Sequence, residues 1–284
     1  MKIGIGLPNQ TRDVRSTVIP EWARRAEEAG FSTLGSVGRI AYPGVMDTVA
    51  LAVAAGATRR IGLLSTLLLG PVWPPVLLAK EAASIDGVSG GRLTLGLGLG
   101  GRPDDFVVDG LGARGTGKRL DRDVETYKSV WRGEVPDGCD NPLVPAGTRE
   151  VPLLFGGGVP ASFARVARSG QGYIGASLPP AMIGPAFDGV RAAWRQAGRQ
   201  GSPYLVAIAY FAVADAEAGT HSVRDYYTTA GPEAAELLAS TVRGGAAAIK
   251  EVVRAFEDLG ADELILNPTS DDLDEVARLA DIVL

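Results

Sequence analysis

The chain is poor in the side chains that most often build disulfides, metal sites and nucleophile–base pairs. It has one cysteine, Cys139, and one histidine, His221, among 284 residues. A single cysteine excludes an intramolecular disulfide and suits a reducing cytoplasm. Cys139 lies in the loop-like sequence DGCDNP, where we interpret it as an incidental thiol rather than a nucleophile. No metal site is expected.

The chain also lacks an excess of basic charge and a long unbroken apolar run. Its net charge of −5 disfavours nucleic-acid binding. The most apolar window, residues 61–79, contains Pro71, Pro74 and Pro75, which favour a strand, a loop and a helix start over a membrane span. The N-terminal MKIGIGLPNQ has too short an apolar part for a signal peptide. We therefore expect a cytoplasmic protein that binds neither nucleic acid nor membrane.

What the sequence does have is a regular alternation of strand and helix. The predicted strands are 2–7, 32–37, 61–69, 92–100, 152–156, 172–176, 204–213 and 263–268. The predicted helices are 20–29, 48–57 capped by Asp47, 75–86, 118–132, 160–169, 180–198, 222–228, 232–241, 245–259 and 271–283. Such repetition permits an open doubly wound sheet or a closed barrel. The strand count, the length and the absence of a linker favour one α/β domain over 1–284, a TIM-type (β/α)8 barrel with loop insertions.

One stretch, SGGRLTLGLGLGGRPDDF at 89–106, formally matches a dinucleotide-binding motif through Gly96, Gly98 and Gly101. A Rossmann fingerprint needs a strand, a tight turn and an immediate helix, usually in the first βα unit. Here the motif lies in the fourth predicted strand, and helical patterning resumes only near Lys118. The context therefore argues against a Rossmann phosphate loop.

Leucines and small residues alternate within this stretch. The two faces of the predicted strand are Leu93, Leu95, Leu97 and Leu99 on one side and Thr94, Gly96, Gly98 and Gly100 on the other. We expect the leucines to pack against surrounding helices and the glycines to face the barrel centre. Near the start of the strand the glycines fit a crowded layer, whereas at its C-terminal end they favour the close approach of a ligand.

A second glycine cluster, Gly156–Gly158, ends the predicted strand 152–156 just before a helix that starts near Pro160. Free backbone N–H groups at a helix N-terminus attract anions, and Ser162 could add a hydroxyl. A flexible turn is the alternative. We predict a phosphate site here.

These segments together resemble the luciferase-like flavin oxidoreductases, a family that includes bacterial luciferase, FMN-dependent monooxygenases and coenzyme-F420-dependent enzymes. The matching stretches, in order along most of the chain, are EEAGFSTL, RRIGLLSTLLLGPVWPPVLLAKEAASIDGVSGGRLTLGLGLGGRPDDF, GKRLDRDVETYKSVW, VPLLFGGGVPASFARVARSGQGYI and FEDLGADELIL. The resemblance implies a TIM-type barrel with the flavin at the C-terminal end of its strands.

The resemblance also implies a set of cofactor contacts. A non-proline cis peptide commonly closes strand three in the family and forms a bulge behind the isoalloxazine, and the matching pair is Thr66–Leu67. Arg102 and Arg119 match basic residues that often assist the phosphate site, although both could be ordinary surface arginines. The implied cofactor-binding residues are Thr66, Leu67, Gly98, Gly100, Arg102, Arg119, Gly156, Gly157, Gly158 and Ser162.

The chain departs from the family pattern at the end of strand two. The family often carries Asp or His near the flavin ring there, and this sequence has Gly38 and Arg39. We expect His221, which lies in the variable region after strand seven, to be a surface residue. Arginine cannot be a general base at neutral pH, but Arg39 could bind an anionic substrate, stabilise an oxyanion or hold the cofactor. Arg39 and Tyr42 are our candidate catalytic residues.

The sequence thus predicts a flavin-dependent oxidoreductase, first of all a monooxygenase that uses reduced FMN and oxygen on a small organic substrate. A separate reductase could supply the reduced flavin, and the resemblance implies a homodimer. We expect Trp73 and Tyr210 to line the substrate pocket, with core packing as the alternative for both.

Two other functions stay open at this point. The first is hydride transfer with reduced F420, whose acidic tail would suit Arg102, Arg114, Lys118 and Arg119. The second is a flavin-binding protein with lost or altered catalysis, in which Gly38 marks a missing group.

Overall fold

A computed structural model of the chain describes residues 1–106, 110 and 112–284. The strands in these ranges are β1 (Lys2–Gly6), β2 (Thr33–Ser36), β3 (Gly62–Ser65), β4 (Leu68–Leu69), β5 (Leu93–Gly98), β6 (Leu153–Gly156), β7 (Gly172–Ile174), β8 (Tyr204–Ala212), β9 (Arg243–Gly244) and β10 (Glu263–Pro268).

Helices follow these strands along the chain. They are α1 (Ile19–Ala29), α2 (Asp47–Ala57), α3 (Pro75–Ser89), α4 (Thr116–Trp131), α5 (Pro160–Ser169), α6 (Pro180–Gln196), α7 (Ala216–Tyr226), α8 (Pro232–Ala239), α9 (Gly245–Asp258) and α10 (Asp274–Val283). The longest, α6, has 17 residues. Across the described ranges, no helix combines the length and the apolar character needed to cross a membrane.

The strands close into a parallel barrel. Their order is β1–β2–β3–β5–β6–β7–β8–β10, and β10 pairs with both β8 and β1. At the point of closure, Glu263 lies opposite Val206 on one side and Lys2 on the other. The short β4 continues the line of β3 along β5, and β9 pairs with the end of β8. The predicted TIM-type α/β barrel is confirmed.

Most element boundaries agree with the predictions within a few residues, and the differences have local causes. The predicted strand 61–69 is divided into β3 and β4. Helix α3 runs past Gly87 because Gly90, with φ of 75°, takes the left-handed conformation that ends it. Helix α7 begins earlier than predicted, where the Asp215 side chain accepts the Ala218 N–H at 2.9 Å. Asp47 is the first residue of α2, not its cap.

The expected two faces of β5 are present. Leu93, Leu95 and Leu97 are buried in the layer between barrel and helices. A separate apolar cluster fills the barrel interior and consists of Leu64, Leu154, Ile174, Val206, Ile208 and Ile265. Leu99 lies beyond the end of β5 at Gly98; it packs, partly buried, against the same layer as predicted and also lines the barrel mouth.

Candidate active site

A cavity of about 570 Å³ opens at the C-terminal ends of the barrel strands. Ligand sites typically occupy roughly 300–1,000 Å³, so the volume suits a cofactor or substrate. The predicted site residues in its wall are Thr66, Leu67, Gly98, Gly100, Arg102, Gly156, Gly157, Gly158 and Ser162. Most of the predicted cofactor-binding set is therefore brought together at one place.

The wall between β3 and β4 is formed by the pair Thr66–Leu67, whose peptide bond is cis. The cis bond inferred from the family resemblance is thus confirmed. Thr66 donates from its N–H and its Oγ1 to Ser36 O, at 2.6 and 3.0 Å. Leu67 O accepts the Gly38 N–H at 3.2 Å. These bonds tie the pair to the end of β2 while both residues face the cavity.

Glycines on β5 and β6 leave the space that Leu67 occupies. A Cβ at Gly98 would lie 3.1 Å from Leu67 Cδ1, and a Cβ at Gly156 would collide with the same methyl group. Deeper in the barrel, a Cβ at Gly96 would collide with Ser65 O. The crowded-layer interpretation therefore holds for Gly96, whereas Gly98 and Gly156 make room for Leu67 and also line the cavity.

The turn from β6 into α5 forms a concave cradle of backbone. Gly157 has φ of 121°, and a Cβ there would collide with Ser162 Oγ. Helix α5 begins at Pro160 without a side-chain cap. Ser162 is 1% exposed, and its Oγ has no hydrogen-bond partner in the described residues. Because a buried hydroxyl without a partner is costly and a helix N-terminus attracts anions, the cradle fits a phosphate group.

Arg102 lines the cavity near two aromatic rings. Its guanidinium carbon lies 4.6 Å from the ring centre of Tyr226 and 4.7 Å from that of Tyr227. Both tyrosines also line the cavity. The nearest carboxylate oxygen, Asp105 Oδ2, is 3.9 Å away, beyond hydrogen-bonding distance. Arg102 therefore packs against the two tyrosine rings in the cavity wall, and Asp105 accepts no hydrogen bond from it.

Arg39 lies outside the cavity wall, so the geometry does not support our assignment of a catalytic role to it. Its side chain is 4% exposed and pairs with Asp104 at 2.7 Å and Asp105 at 3.2 Å. It also donates to Tyr226 O at 2.8 Å and to Thr229 Oγ1 at 3.0 Å. These bonds occupy Nε and both terminal nitrogens. Arg39 thus joins the loops that follow β2, β5 and α7.

The other candidate catalytic residue, Tyr42, is likewise engaged outside the cavity wall. Its hydroxyl donates to Asp225 Oδ2 at 2.7 Å, and its ring contacts Tyr226 edge-on at 4.9 Å. Burial, and then the hydrogen bond to Asp225, raise the pKa of Tyr42 well above its usual value. Tyr42 is therefore tied to α7, the helix whose end Arg39 also holds.

The two predicted pocket-lining aromatics lie behind the wall. Tyr210 is 2% exposed and shares a hydrogen bond of 3.1 Å with the hydroxyl of Tyr227. Burial raises its pKa well above the usual value. Trp73 packs against the cluster of Leu69, Val72 and Phe106. The core-packing alternative fits both residues.

The remaining candidates also lie elsewhere. Arg119 donates to Pro71 O at 3.0 Å and Gly112 O at 3.3 Å, which ties α4 to neighbouring turns and leaves it out of the cavity wall. His221 and Cys139 are exposed, as expected for incidental groups. The described geometry gives none of the three a contact with the cavity.

Position 38 has no room for a side chain. A Cβ at Gly38 would lie 2.5 Å from Leu67 O and 2.8 Å from Asp47 Oδ2. Asp47 is 3% exposed, and burial raises its pKa to about 7. Its Oδ1 accepts the Thr48 N–H at 2.9 Å. The glycine thus accommodates a buried carboxyl group that lies behind the cavity wall, whereas the sequence had indicated Asp47 only as a helix cap.

Sequence reasoning also missed Tyr226 and Tyr227, which join the wall from the end of α7. They lie in the predicted helix 222–228, where no motif marks a side chain that faces the cavity. Two adjacent tyrosines were the only available signal. Their position depends on Arg39 and Arg102, which come from other loops.

Comparison with known proteins agrees with this geometry. Residues 1–251 match the family model of the luciferase-like monooxygenases. An uncharacterized protein of Mycobacterium tuberculosis is 31% identical over 176 residues, which cover 52% of this chain and 61% of the relative. The oxygenase component of a flavin-dependent trigonelline monooxygenase from Acinetobacter baylyi is 33% identical over 86 residues, 30% of this chain and 24% of the relative.

Solved structures share the fold over nearly the whole chain. An F420-dependent secondary alcohol dehydrogenase in complex with an F420-acetone adduct has a TM-score of 0.80 at 16% identity, covering 99% of this chain and 98% of its own. The oxygenating constituent of 3,6-diketocamphane monooxygenase from Pseudomonas putida, in complex with FMN, has a TM-score of 0.74 at 16% identity, covering 99% and 95%. The sequence matches to the first mycobacterial relatives span 61% of those proteins.

Proposed function

The chain belongs to the luciferase-like monooxygenase family, and from that premise we propose that it is a flavin-dependent oxidoreductase. The first candidate is a monooxygenase that uses reduced FMN and oxygen on a small organic substrate. The observation that carries the proposal is the cradle of Gly157 and the buried, unpartnered Ser162 Oγ at the edge of a cavity of about 570 Å³.

The residues of the cavity suit both parts of such a cofactor. Gly156–Gly158, the start of α5 and Ser162 would hold the phosphate. The pair Thr66–Leu67, with Gly98 beside it, would support the ring system. When bound, the reduced flavin would supply the electrons for oxygen activation. The protein itself would contribute binding, orientation and the exclusion of water.

A segment from α7 to α8 would shield the reacting groups from solvent. Tyr226, Tyr227, Ala230 and Leu238 from this segment line the cavity. Arg39 holds the segment through Tyr226 O and Thr229 Oγ1. We assign Arg39 and Tyr42 this positioning role, since neither faces the cavity.

The F420-dependent alternative differs in the anion that the protein must recognise, because F420 carries an acidic tail beyond its phosphate. In the described part of the cavity wall, Arg102 is the one cationic residue. Arg119 is occupied by backbone carbonyls. A wall with so little positive charge favours FMN over a polyanionic tail.

Titration of the purified protein with FMN, riboflavin and F420, followed by fluorescence, tests the proposal. We expect FMN to bind, riboflavin to bind more weakly because it lacks the phosphate, and F420 not to bind. Binding of F420 without binding of FMN or riboflavin would replace the monooxygenase proposal with F420-dependent hydride transfer. Binding of none of the three would refute both cofactor assignments.

We propose that a separate reductase supplies the reduced flavin and that the chain forms a homodimer. Exposed apolar side chains on α2 and α3 support the second point, with Val49, Leu77 and Val88 exposed by 51, 50 and 69%. Light scattering after gel filtration measures the assembly, and a monomeric mass would contradict it. Oxygen uptake that needs no added reductase would contradict the first point.

A further inference from the structure

Arg102 is an unusual cation for a cavity wall. Its side chain is 13% exposed and lies within 5 Å of two tyrosine ring centres, at 4.6 and 4.7 Å. The nearest ion-pair atom to its guanidinium group is Asp105 Oδ2 at 3.9 Å, and the hydroxyl of Tyr226 is its other close polar neighbour. A guanidinium carries five N–H donors. These two neighbours cannot accept from all five donors, so part of the group is open to an acceptor from outside the chain.

Asp105 faces Arg102 with Oδ2, which has no hydrogen-bond partner in the described residues and at 3.9 Å lies too far away to accept a hydrogen bond from Arg102. Its Oδ1 accepts bonds from Arg39 Nε at 3.2 Å and from the N–H groups of Ile40 and Ala41, both at 2.9 Å. The carboxylate is 1% exposed and is held in the loop junction behind the wall. It balances the charge of Arg102 at a distance while leaving its donors open.

The stacking fixes the orientation of the guanidinium group. Tyr227 is held from behind by Tyr210, through the 3.1 Å hydroxyl contact. Tyr226 is held by the bond from Arg39 to its carbonyl oxygen. Rings packed on a guanidinium plane restrict its rotation and leave the nitrogen edge available, which is the edge that forms paired bonds with a carboxylate.

We propose that Arg102 recognises a carboxylate on the organic substrate. The proposal rests on the proposed function, because it places this substrate in the same cavity as the cofactor. The cradle at Gly157 and Ser162 already supplies a helix N-terminus and a hydroxyl for phosphate, on β6 and α5. Arg102, in contrast, is held by tyrosines of the α7 segment.

The apolar part of the wall suggests the body of the substrate. Val37, Ile208 and Leu238 face the same cavity, and none of them offers a polar side-chain atom. A molecule with one carboxylate and an apolar, aromatic or aliphatic body fits this combination. Its neutral amide would lose the charge-assisted bonds to Arg102 while keeping the apolar contacts.

The test compares carboxylates with their own amides. Calorimetry would measure the binding of benzoate against benzamide, and of octanoate against octanamide, to the flavin-loaded protein and to the protein alone. We expect the wild type to bind at least one carboxylate roughly tenfold or more tightly than its amide. The variant Arg102→Gln should lose that preference. Arg195→Gln, on the exposed face of α6, should keep it.

A parallel titration separates this proposal from the cofactor assignment. Arg102→Gln should leave the ratio of FMN to riboflavin affinity unchanged, since riboflavin lacks only the phosphate. A fall in that ratio would make Arg102 a phosphate ligand and overturn the proposal, as would a wild type that binds every carboxylate no better than its amide. Preference for a carboxylate without FMN binding would instead refute the proposed function alone.

Discussion

Buried polar groups at the two ends of the barrel differ in whether other residues of the chain satisfy their hydrogen bonds. At the N-terminal end, Glu263 accepts bonds from Ser32 Oγ at 2.5 Å and from the Tyr204 hydroxyl at 3.0 Å. Arg92 there donates to the backbone oxygens of Ala55, Thr58, Ile61 and Ser89 and to Thr58 Oγ1, at 2.6–3.2 Å. At the C-terminal mouth, Ser162 Oγ and Tyr226 Oη have no partner in the described residues.

This difference distinguishes the end of the barrel that stabilises the fold from the end that forms the candidate active site. A polar group satisfied within the chain contributes to folding, whereas an unsatisfied one costs stability until a ligand supplies the missing bond. The cavity volumes follow the same division. The cavity beside Arg92 and Glu263 at the N-terminal end measures about 120 Å³, and the one at the mouth about 570 Å³. Changes at the mouth should therefore affect binding, and changes at the other end should affect stability.

The largest expected effect belongs to Gly157→Val at the mouth. The new side chain would collide with Ser162 Oγ and would force a φ of 121° on a branched residue. We expect FMN affinity to fall roughly a hundredfold or more, measured by fluorescence titration. The control is Gly87→Val on the exposed side of α3, where a Cβ meets nothing within 4 Å. Unchanged FMN binding by Gly157→Val would remove the cradle from the cofactor site.

At the opposite end, Arg92→Met keeps the apolar stem and removes the donors to the C-terminal turn of α2. We expect the free energy of unfolding to fall by about 3 kcal/mol, measured by urea denaturation, with FMN affinity of the folded protein preserved. Arg195→Met, at an exposed position on α6, should change the unfolding free energy by less than about 0.5 kcal/mol. A large loss of FMN affinity in Arg92→Met would contradict the conclusion that residues at the N-terminal end affect stability and not binding.

The buried carboxyl of Asp47 should make stability depend on pH. Burial raises its pKa from 3.8 to about 7 in the folded protein. Between these pH values Asp47 is protonated in the folded chain and ionised in the unfolded chain. The contribution of Asp47 to stability is therefore fully present below pH 3.8 and is lost as the pH rises to about 7. The steepest slope for one proton is about 1.4 kcal/mol per pH unit.

Asp47→Asn keeps an acceptor for the Thr48 N–H and removes the titration. We expect urea denaturation at a series of pH values to show a smaller loss of stability for this variant than for the wild type across that window. Parallel curves for the two proteins would show that Asp47 is not the group that titrates.

The smallest effect is expected for Ser162→Ala. Loss of one hydroxyl should weaken FMN binding by roughly five- to tenfold and leave riboflavin binding unchanged, because only FMN carries the phosphate. Without ligand, the variant should be as stable as the wild type or slightly more so, since an unpartnered buried hydroxyl is gone. Ser84→Ala, on the exposed side of α3, is the control. An equal loss of riboflavin affinity would contradict a role in phosphate binding.

Local patterns in the sequence predicted most of the barrel. Alternation in β5 placed Leu93, Leu95 and Leu97 correctly, because side chains of a strand point to opposite faces in turn. The helix α5 was predicted over its full range, since Pro160 and the apolar spacing mark it locally. Strands β3 and β4 were predicted as one strand, 61–69, because the cis peptide bond between them does not change the hydropathy pattern of the sequence.

The part of the candidate site that was predictable lies in short segments of the sequence. Gly156–Gly158 and Ser162 are adjacent in the chain, so the motif carries their geometry. Arg39 was assigned to catalysis because it stands where the family often carries Asp or His, and the sequence does not show which residues it pairs with. Its bonds reach Asp104 across 65 positions and Tyr226 across 187 positions.

The sequence by itself determined the alternation of strand and helix, the family and the place of the glycine cradle. These properties depend on neighbouring residues and on short motifs, which a chain carries whether or not it is folded. Only the tertiary structure decided that Leu67 fills the space beside Gly98 and Gly156, that Arg39 joins three loops, and that Arg102 stacks on two tyrosines. Each of these contacts needs segments that meet only when the barrel closes.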